Sequence, residues 1–403
     1  MIEPRQRILV TGGTGFIGGR LVETLLLRHQ THQPEVRVVV RDFRRAIRLR
    51  RFNVQLISAP LTDTSAMKAA ATGCDVVYHC AFGSSGDAEQ QRSTTVEGTR
   101  SLLAAAKEAG VKRFVNLSTL SVYGDLTSPT LDETAPRQRT GDLYGDTKLD
   151  AEELVLAADQ SGAMRTYVLQ PTVVYGPFGG WWTAGQINRL KHGRFALAND
   201  GTGICNPVYV DDVVQAMLRA ADSGEAAGGQ SYLISGPQAV TWREYYSHIE
   251  RIVGRPSIVS MPPDEIIRQL KAQRPPRGLF GWGLSVLRER HDVRQRIVNS
   301  PLGLPYRLAV KLTPTKLIRA IKRRILGDNF DAKPAAKSSS PGVAVPIDTR
   351  PIILPDRASL PQFTSPTRVS IEKARQHLAY QPEFDLTRGM TITEQWVRWA
   401  RIV

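Results

Sequence analysis

Tyr144 and Lys148 stand four residues apart at the head of an apparent helix in "LYGDTKLDAEEL". That spacing puts both side chains on one helical face, with Cβ atoms ~5–6 Å apart. A free phenol titrates near ~10 and is a poor base at neutral pH. An ammonium ~4 Å away, at an effective dielectric of ~20, favours the phenolate by up to ~4 kcal/mol. At ~1.36 kcal/mol per pKa unit this lowers the phenol by roughly three units, enough to make it a usable acid and base. A third hydroxyl, Thr119 in "NLSTLSVYG", follows the apolar run that begins at Phe114. At the C-terminal end of a parallel strand it faces the crevice where ligands bind. Thr119 would hold a substrate oxygen while Tyr144 moves its proton.

The elements that must position these groups are legible as an alternation. "RILV", "VRVVV", "VQLI", "DVVYH" and "FVNLS" read as short buried strands. "FIGGRLVETLLLRH" and "RSLLAAAKEAG" read as helices between them. Strand and helix in turn predict an α/β fold built on a doubly wound parallel sheet. At the end of the first strand, "TGGTGFIGG" spaces Gly12, Gly15 and Gly18 three apart and opens a helix at Phe16 and Ile17. Such glycines let the backbone approach a pyrophosphate, which then sits on the free N–H groups of the helix N-terminus. The second strand ends in "VVVRDFRR". An Arg there accepts a 2′-phosphate, whereas an acid binds a free ribose hydroxyl. Arg41, with Arg44 and Arg45 behind it, leans the choice toward NADP, and Asp42 keeps NAD open.

Together these motifs resemble the extended short-chain dehydrogenase/reductase family, the NAD-dependent epimerase/dehydratase group. The resemblance runs from Arg7 to about Gly254 and resumes from Arg368. It includes "VVYHCA" at Val76, "STLSVYG" at Ser118, "QPTVVYGP" at Gln170 and "NPVYVDDVVQAM" at Asn206. It implies a Rossmann-type domain over about 1–175, substrate-lobe and returning elements over 176–254, and C-terminal helices over 366–403 that complete a smaller substrate lobe. It further implies that Ala81 lies along the cofactor, Pro171 to Val173 lie near the nicotinamide carboxamide, and Lys148 also binds the nicotinamide ribose. Ser121, Tyr175, Trp181 and Asn206 become candidate substrate contacts, although paired tryptophans such as Trp181 and Trp182 more often pack.

Departures narrow the expected reaction. Dehydratases of the group carry an Asp-Glu pair after the threonine, where Leu120 and Ser121 stand here. Sugar-nucleotide epimerases carry an Arg ahead of the "YVDD" segment, where Cys205 stands. The adenine-contacting aspartate is replaced by Pro60, and the helix-buried Asn by Thr95. His79 reads as a satisfied core residue, and Asp211 and Asp212 as helix cap and dipole partners.

The remaining segment has a different character. The 403 residues carry a net charge of +15, and from Arg255 to Arg357 there are 20 Lys and Arg against 8 Asp and Glu. Residues 255–365 therefore read as a basic, partly linker-like insertion. Within it "PTKLIRAIKRRILG" places Leu317, Ile318, Ile321 and Ile325 on one face and five cations around the rest. Such a helix, 315–326, suits an anionic membrane surface, an apolar lid or a protein contact. No aromatic-basic motif supports nucleic acid. Cys74, Cys80 and Cys205 have neither disulfide nor zinc spacing, so no metal is expected. No apolar run nears the ~18 residues of a membrane span. The expectation is a cytoplasmic enzyme without a resident metal, peripheral at the membrane if the basic helix binds it, with a homodimer left open. Its favoured reaction is alcohol/ketone redox on an apolar or isoprenoid-like small molecule. A nucleotide-sugar epimerase and a dinucleotide-sensing protein without turnover are the alternatives.

Overall fold

The computed structural model describes residues 5–28, 33–272 and 348–403. In chain order the first half contains β1 (Arg7–Thr11), α1 (Phe16–Arg28), β2 (Glu35–Val40), β3 (Gln55–Ser58), α2 (Thr64–Ala71), β4 (Val76–His79), α3 (Ala88–Arg92), α4 (Gly98–Glu108), β5 (Arg113–Leu117), β6 (Thr130–Leu131), α5 (Leu143–Ala157) and β7 (Arg165–Pro171). The second half contains β8 (Val173–Tyr175), α6 (Gln186–His192), β9 (Arg194–Ala198), β10 (Ile204–Cys205), β11 (Pro207–Tyr209), α7 (Val210–Asp222), β12 (Gln230–Ile234), β13 (Val240–Thr241), α8 (Trp242–Val253), β14 (Ile258–Met261) and α9 (Pro263–Ala272). After residue 347 come β15 (Ile352–Ile353), α10 (Leu360–Thr364), β16 (Arg368–Val369), α11 (Glu372–Leu378) and α12 (Leu386–Trp399).

Seven strands form one parallel sheet in the order β12-β7-β5-β4-β1-β2-β3. Successive side chains in a strand point to opposite faces, so an apolar run in a doubly covered sheet supplies two cores. Val10, Val38, Tyr78 and Val115 pack with Leu21 and Val22 of α1 and Val213 and Met217 of α7. Leu9, Val77, Phe114 and Val168 pack with Met67 of α2 and Leu102 of α4. Each fully buried aliphatic side chain contributes about 1.5–3 kcal/mol. The strand order reverses between β1 and β4, and the crevice at that switch point is where such sheets bind ligands.

A three-stranded sheet, β14-β9-β15, forms a second layer, with both outer strands parallel to β9. Phe363 of α10 lies 4.9 Å from Trp242 and 5.6 Å from Phe195, ring to ring. Residues 258–261, 352–353 and 360–364, read from sequence as insertion, thus belong to the body that carries β9. Their short apolar runs pair or pack locally, which a linker-like composition concealed. One compact unit takes in Met1–Ile266 and Arg350–Val403, and another spans Ile267–Thr349. The expected basic helix at 315–326 lies outside the described residues. Among those described, no helix is long and apolar enough to cross a membrane.

Candidate active site

The first turn of α1 is a cradle that only glycine permits. Gly12 has φ +72°, and a Cβ there would stand 2.6 Å from the carbonyl carbon of Cys80 and 2.7 Å from the Ala81 nitrogen. A Cβ on Gly18 would lie 2.4 Å from the Gly12 oxygen. β1 and β4 thereby bring Gly12 and Ala81 side by side, and no acidic residue occupies the first turn of α1. A helix start of that kind favours an anion. Phe16 reaches the backbone after β8: a Cβ on Gly179 would be 3.1 Å from its ring. Ile17 packs against the core. The cradle, the uncharged helix start and the neighbouring Ala81 fit a dinucleotide.

At the end of β2, Arg41 is exposed and donates to the Ser85 hydroxyl at 3.3 Å, spanning the crevice. Arg44 is committed to Asp42, donating from its backbone at 2.9 Å and forming an ion pair at 3.0 Å. This pairing holds the Asp42 carboxyl below its ordinary range.

α5 begins at Asp142, whose side chain accepts from Gly145 N at 2.7 Å. Asp146 accepts from the backbone of Thr140 and Gly141 at 2.9 and 3.0 Å and fixes the preceding loop. Tyr144 is therefore presented from a capped first turn. Thr119 is 8% exposed, accepts from Ser121 N at 3.2 Å and donates to the Ser121 hydroxyl at 3.3 Å. The Thr119 hydroxyl lies close enough to Tyr144 to act on its phenol. The Tyr144 ring is 40% exposed and meets Phe82 edge-on at 5.5 Å. Burial raises the phenol above its ordinary value, and the neighbouring Thr119 hydroxyl opposes that rise.

Lys148 acts differently from what its spacing predicts. It is buried, donates to the Leu117 carbonyl at 2.5 Å, and has its pKa lowered by burial to about 8. The influence that lowers the Tyr144 phenol comes from Thr119, because the ammonium has turned to the end of β5. Beside Lys148, His79 receives a hydrogen bond from Thr11 at Nδ1, 2.6 Å, and meets Thr99 through Nε2 at 2.9 Å. Thr99 gives its own proton to the Thr95 carbonyl, so Nε2 is the protonated nitrogen. Burial first, then the Lys148 charge, lowers this imidazole to about 3, and it stays a neutral core residue.

Pro171 ends β7 buried, and Val173 follows at 9% exposure. The substrate candidates separate by burial. Ser121 is exposed beside Thr119, and Trp181 is 65% exposed with only an edge contact to Trp182 at 6.4 Å among its rings. Tyr175 is 1% exposed and donates to the Asp385 carbonyl at 3.2 Å, so it is a packing residue at the start of α12. Asn206 gives its amide N–H to Thr367 O at 2.9 Å and accepts from Val369 N at 3.0 Å. That amide is thus tied to Thr367 and to Val369 of β16. It also borders a small polar cavity of about 210 Å³ with Ser235, Glu372 and Arg375, which Thr119, Tyr144 and Lys148 do not line. Sequence reasoning passed over Phe82, Ser118, Arg137, Glu152 and Gln170. For Glu152 one signal existed, since it stands one further turn along the face of Lys148.

Sheet order, glycine cradle and the Thr119–Tyr144 pair define a dinucleotide-dependent enzyme of the doubly wound class. The chain belongs to the NAD dependent epimerase/dehydratase family, whose model matches residues 8–235. It is an NAD(P)-dependent oxidoreductase or epimerase. It is 30% identical over 268 residues to a 2-alkyl-3-oxoalkanoate reductase of Stenotrophomonas maltophilia, covering 62% of this chain and 77% of that one. With a 4-hydroxy-2-methyl-3-oxo-4-farnesyl-3,4-dihydroquinoline-1-oxide ketoreductase of Stigmatella aurantiaca it shares 32% over 245 residues, 59% of this chain and 71% of the relative. The UDP-glucuronic acid 4-epimerase of Bacillus cereus, solved with UDP-glucuronic acid and NAD, has the same fold at a TM-score of 0.64 and 18% identity, over 98% of this chain and 100% of that chain.

Proposed function

We propose that this protein is a ketone reductase or alcohol dehydrogenase acting on a bulky apolar small molecule. The observation that carries the reading is the Tyr144 phenol set beside the Thr119 hydroxyl at the end of β5, with the Phe82 ring edge-on to Tyr144 at 5.5 Å as an apolar wall. The cofactor would be held by the cradle of Gly12, Gly15 and Gly18 with Phe16 and Ile17, by Ala81 and Arg41 along its length, and by Lys148, Pro171 and Val173 at its reactive end. When bound, the nicotinamide supplies or takes up hydride. In the reducing direction Thr119 orients the substrate oxygen and Tyr144 gives it the phenolic proton; in the oxidising direction Tyr144 takes that proton back. Substrate would also meet Ser121 and Trp181.

Arg41 favours NADP, since Arg44 is already paired with Asp42 and a guanidinium suits a phosphate. Two relatives named for ketone reduction support a carbonyl substrate with an apolar body. The nucleotide-sugar epimerase alternative draws on the fold likeness alone, and fully buried Cys205 offers no cation for a diphosphate. Intact Thr119, Tyr144 and Lys148 stand against a dinucleotide sensor without turnover. The test is a panel of 2-alkyl-3-oxoalkanoates, 3-ketosteroids and UDP-sugars, read by reduced-nicotinamide absorbance and product analysis. Turnover of ketones is expected; epimerisation of UDP-sugars with ketones inert would overturn the proposal.

A further inference from the structure

Glu152 is fully buried, yet its carboxylate is among the most connected groups in the described chain. Ser118, next to Thr119, donates to Oε2 at 2.8 Å. Gln170, next to Pro171, donates to Oε1 and Oε2 at 2.9 and 3.0 Å. Ser231 of β12 donates to Oε1 at 3.2 Å. Arg137, from the loop before α5, brings Nε to 2.6 Å of Oε1 as an ion pair and gives a second nitrogen to the Ser231 hydroxyl at 2.7 Å. Tyr123 closes the set by donating to Gln170 Oε1 at 2.9 Å, and Tyr123 ends the turn that Thr119 begins. One carboxylate thus joins the ends of β5 and β7, the edge strand β12 and the helix that carries Tyr144 and Lys148.

We infer that Glu152 is a positioning residue for the proposed reaction: it locks Thr119, Pro171 and α5 into one frame and supplies the negative charge that keeps Lys148 an ammonium. The inference rests on the reading of Lys148 as part of the site. The groups that act on Lys148 or feel its charge are Cys80, just after β4, His79 of β4, the Leu117 carbonyl from β5, and Glu152 from its own helix, with Arg137 behind Glu152. His79 is neutral. Burial pushes the Cys80 thiol up to about 12, so it too is uncharged where Lys148 titrates. Of the named groups, Glu152 is left as the anion that opposes the burial of the ammonium.

The experiment combines Glu152→Gln with lysine-ε ¹³C NMR titration of the cofactor-free protein, the Lys148 signal being assigned with Lys148→Met. Expected results are a titration midpoint of Lys148 lower by roughly one pH unit, a kcat lower by roughly tenfold or more, and a dinucleotide Kd that is little changed. The pH–rate inflection should follow the NMR midpoint. An unchanged midpoint, or a kcat lowered only in proportion to the folded fraction, overturns the inference. Should Glu152→Gln fail to fold, Ser118→Ala decides: it removes one bond but no charge, so kcat should fall with the Lys148 midpoint in place, and a wild-type kcat overturns the framing role. Full turnover in Lys148→Met would instead sink the reading of the site, leaving the NMR result to stand by itself.

Discussion

The Tyr144 phenol stands beside Thr119, the group that would hold a substrate oxygen. Tyr144→Phe deletes the proton and keeps the ring against Phe82, so turnover should be abolished while dinucleotide titrations stay nearly unchanged. Wild-type turnover in that variant would remove Tyr144 from the mechanism. Lys148 makes a prediction of opposite sign for stability. Its pKa is about 8 in the fold against an ordinary value of 10.5, so between these values the unfolded chain holds more protons and stability climbs as pH rises. Below about 8 the cost is fully present, on the order of 3 kcal/mol from the shift. Lys148→Met should therefore unfold at higher denaturant than wild type at pH 7, with a gap that narrows toward pH 10; a constant gap would contradict the burial cost. Arg41→Ala should weaken NADPH far more than NADH, because only the former has a 2′-phosphate to lose, and equal losses by titration would exclude the NADP preference. At this scale the glycine spacing and the Tyr144–Lys148 spacing were readable because both are local. The ties of Tyr175 to Asp385 and of Asn206 to Thr367 were not readable, because those partners come from far along the chain. Glu152 was missed for the same reason.

Elements carry the site in a second sense: α5 must start where it does for Tyr144 to meet Thr119. The Asp142 side chain supplies that start, and Asp142→Ala should cost about 1 kcal/mol of stability. Since Tyr144 sits in the first turn, the same variant should lose turnover through fraying. Denaturant unfolding with an unchanged m-value is the check, and a midpoint equal to wild type would assign the cap elsewhere. The acids at the start of α7 illustrate how an element can be read correctly and its residues otherwise. Asp211 forms a two-point ion pair with Arg20 of α1, at 2.5 and 2.8 Å, and Asp212 accepts from the backbone of Glu383 and Phe384 at 2.8 and 3.2 Å. They tie α7 to other segments; neither caps it by a side-chain hydrogen bond. The first five strands of the main sheet, β1 to β5, announced themselves as apolar runs, whereas β7 and β12 were not read as strands. The two-residue strands β6, β15 and β16 are too short to display a period.

For the molecule as a whole, every described group assigned to the cofactor or the reaction belongs to the unit of Met1–Ile266 and Arg350–Val403. Replacing residues 273–347 by a Gly/Ser linker should accordingly leave dinucleotide binding intact and the remaining core cooperatively folded. Loss of binding in a soluble, folded product would mean that the excised residues take part in the site. The charge is equally uneven, with a net +12 of the total +15 lying between Arg255 and Arg357, so the excised protein should also bind far less to anionic surfaces.

β16 pairs with β6 across more than half the chain, and Asn206 and Asp212 hold residues 367–369 and 383–384 in the same region. These closures cannot form until the last part of the chain exists. During synthesis the sheet around the glycine cradle has all seven strands once Ile234 has emerged, whereas β9, β11 and α7 wait for their covering segments. A nascent chain would thus be competent to bind dinucleotide while its substrate side still exposes apolar surface, and free cofactor in the cell would stabilise that half-made state by mass action.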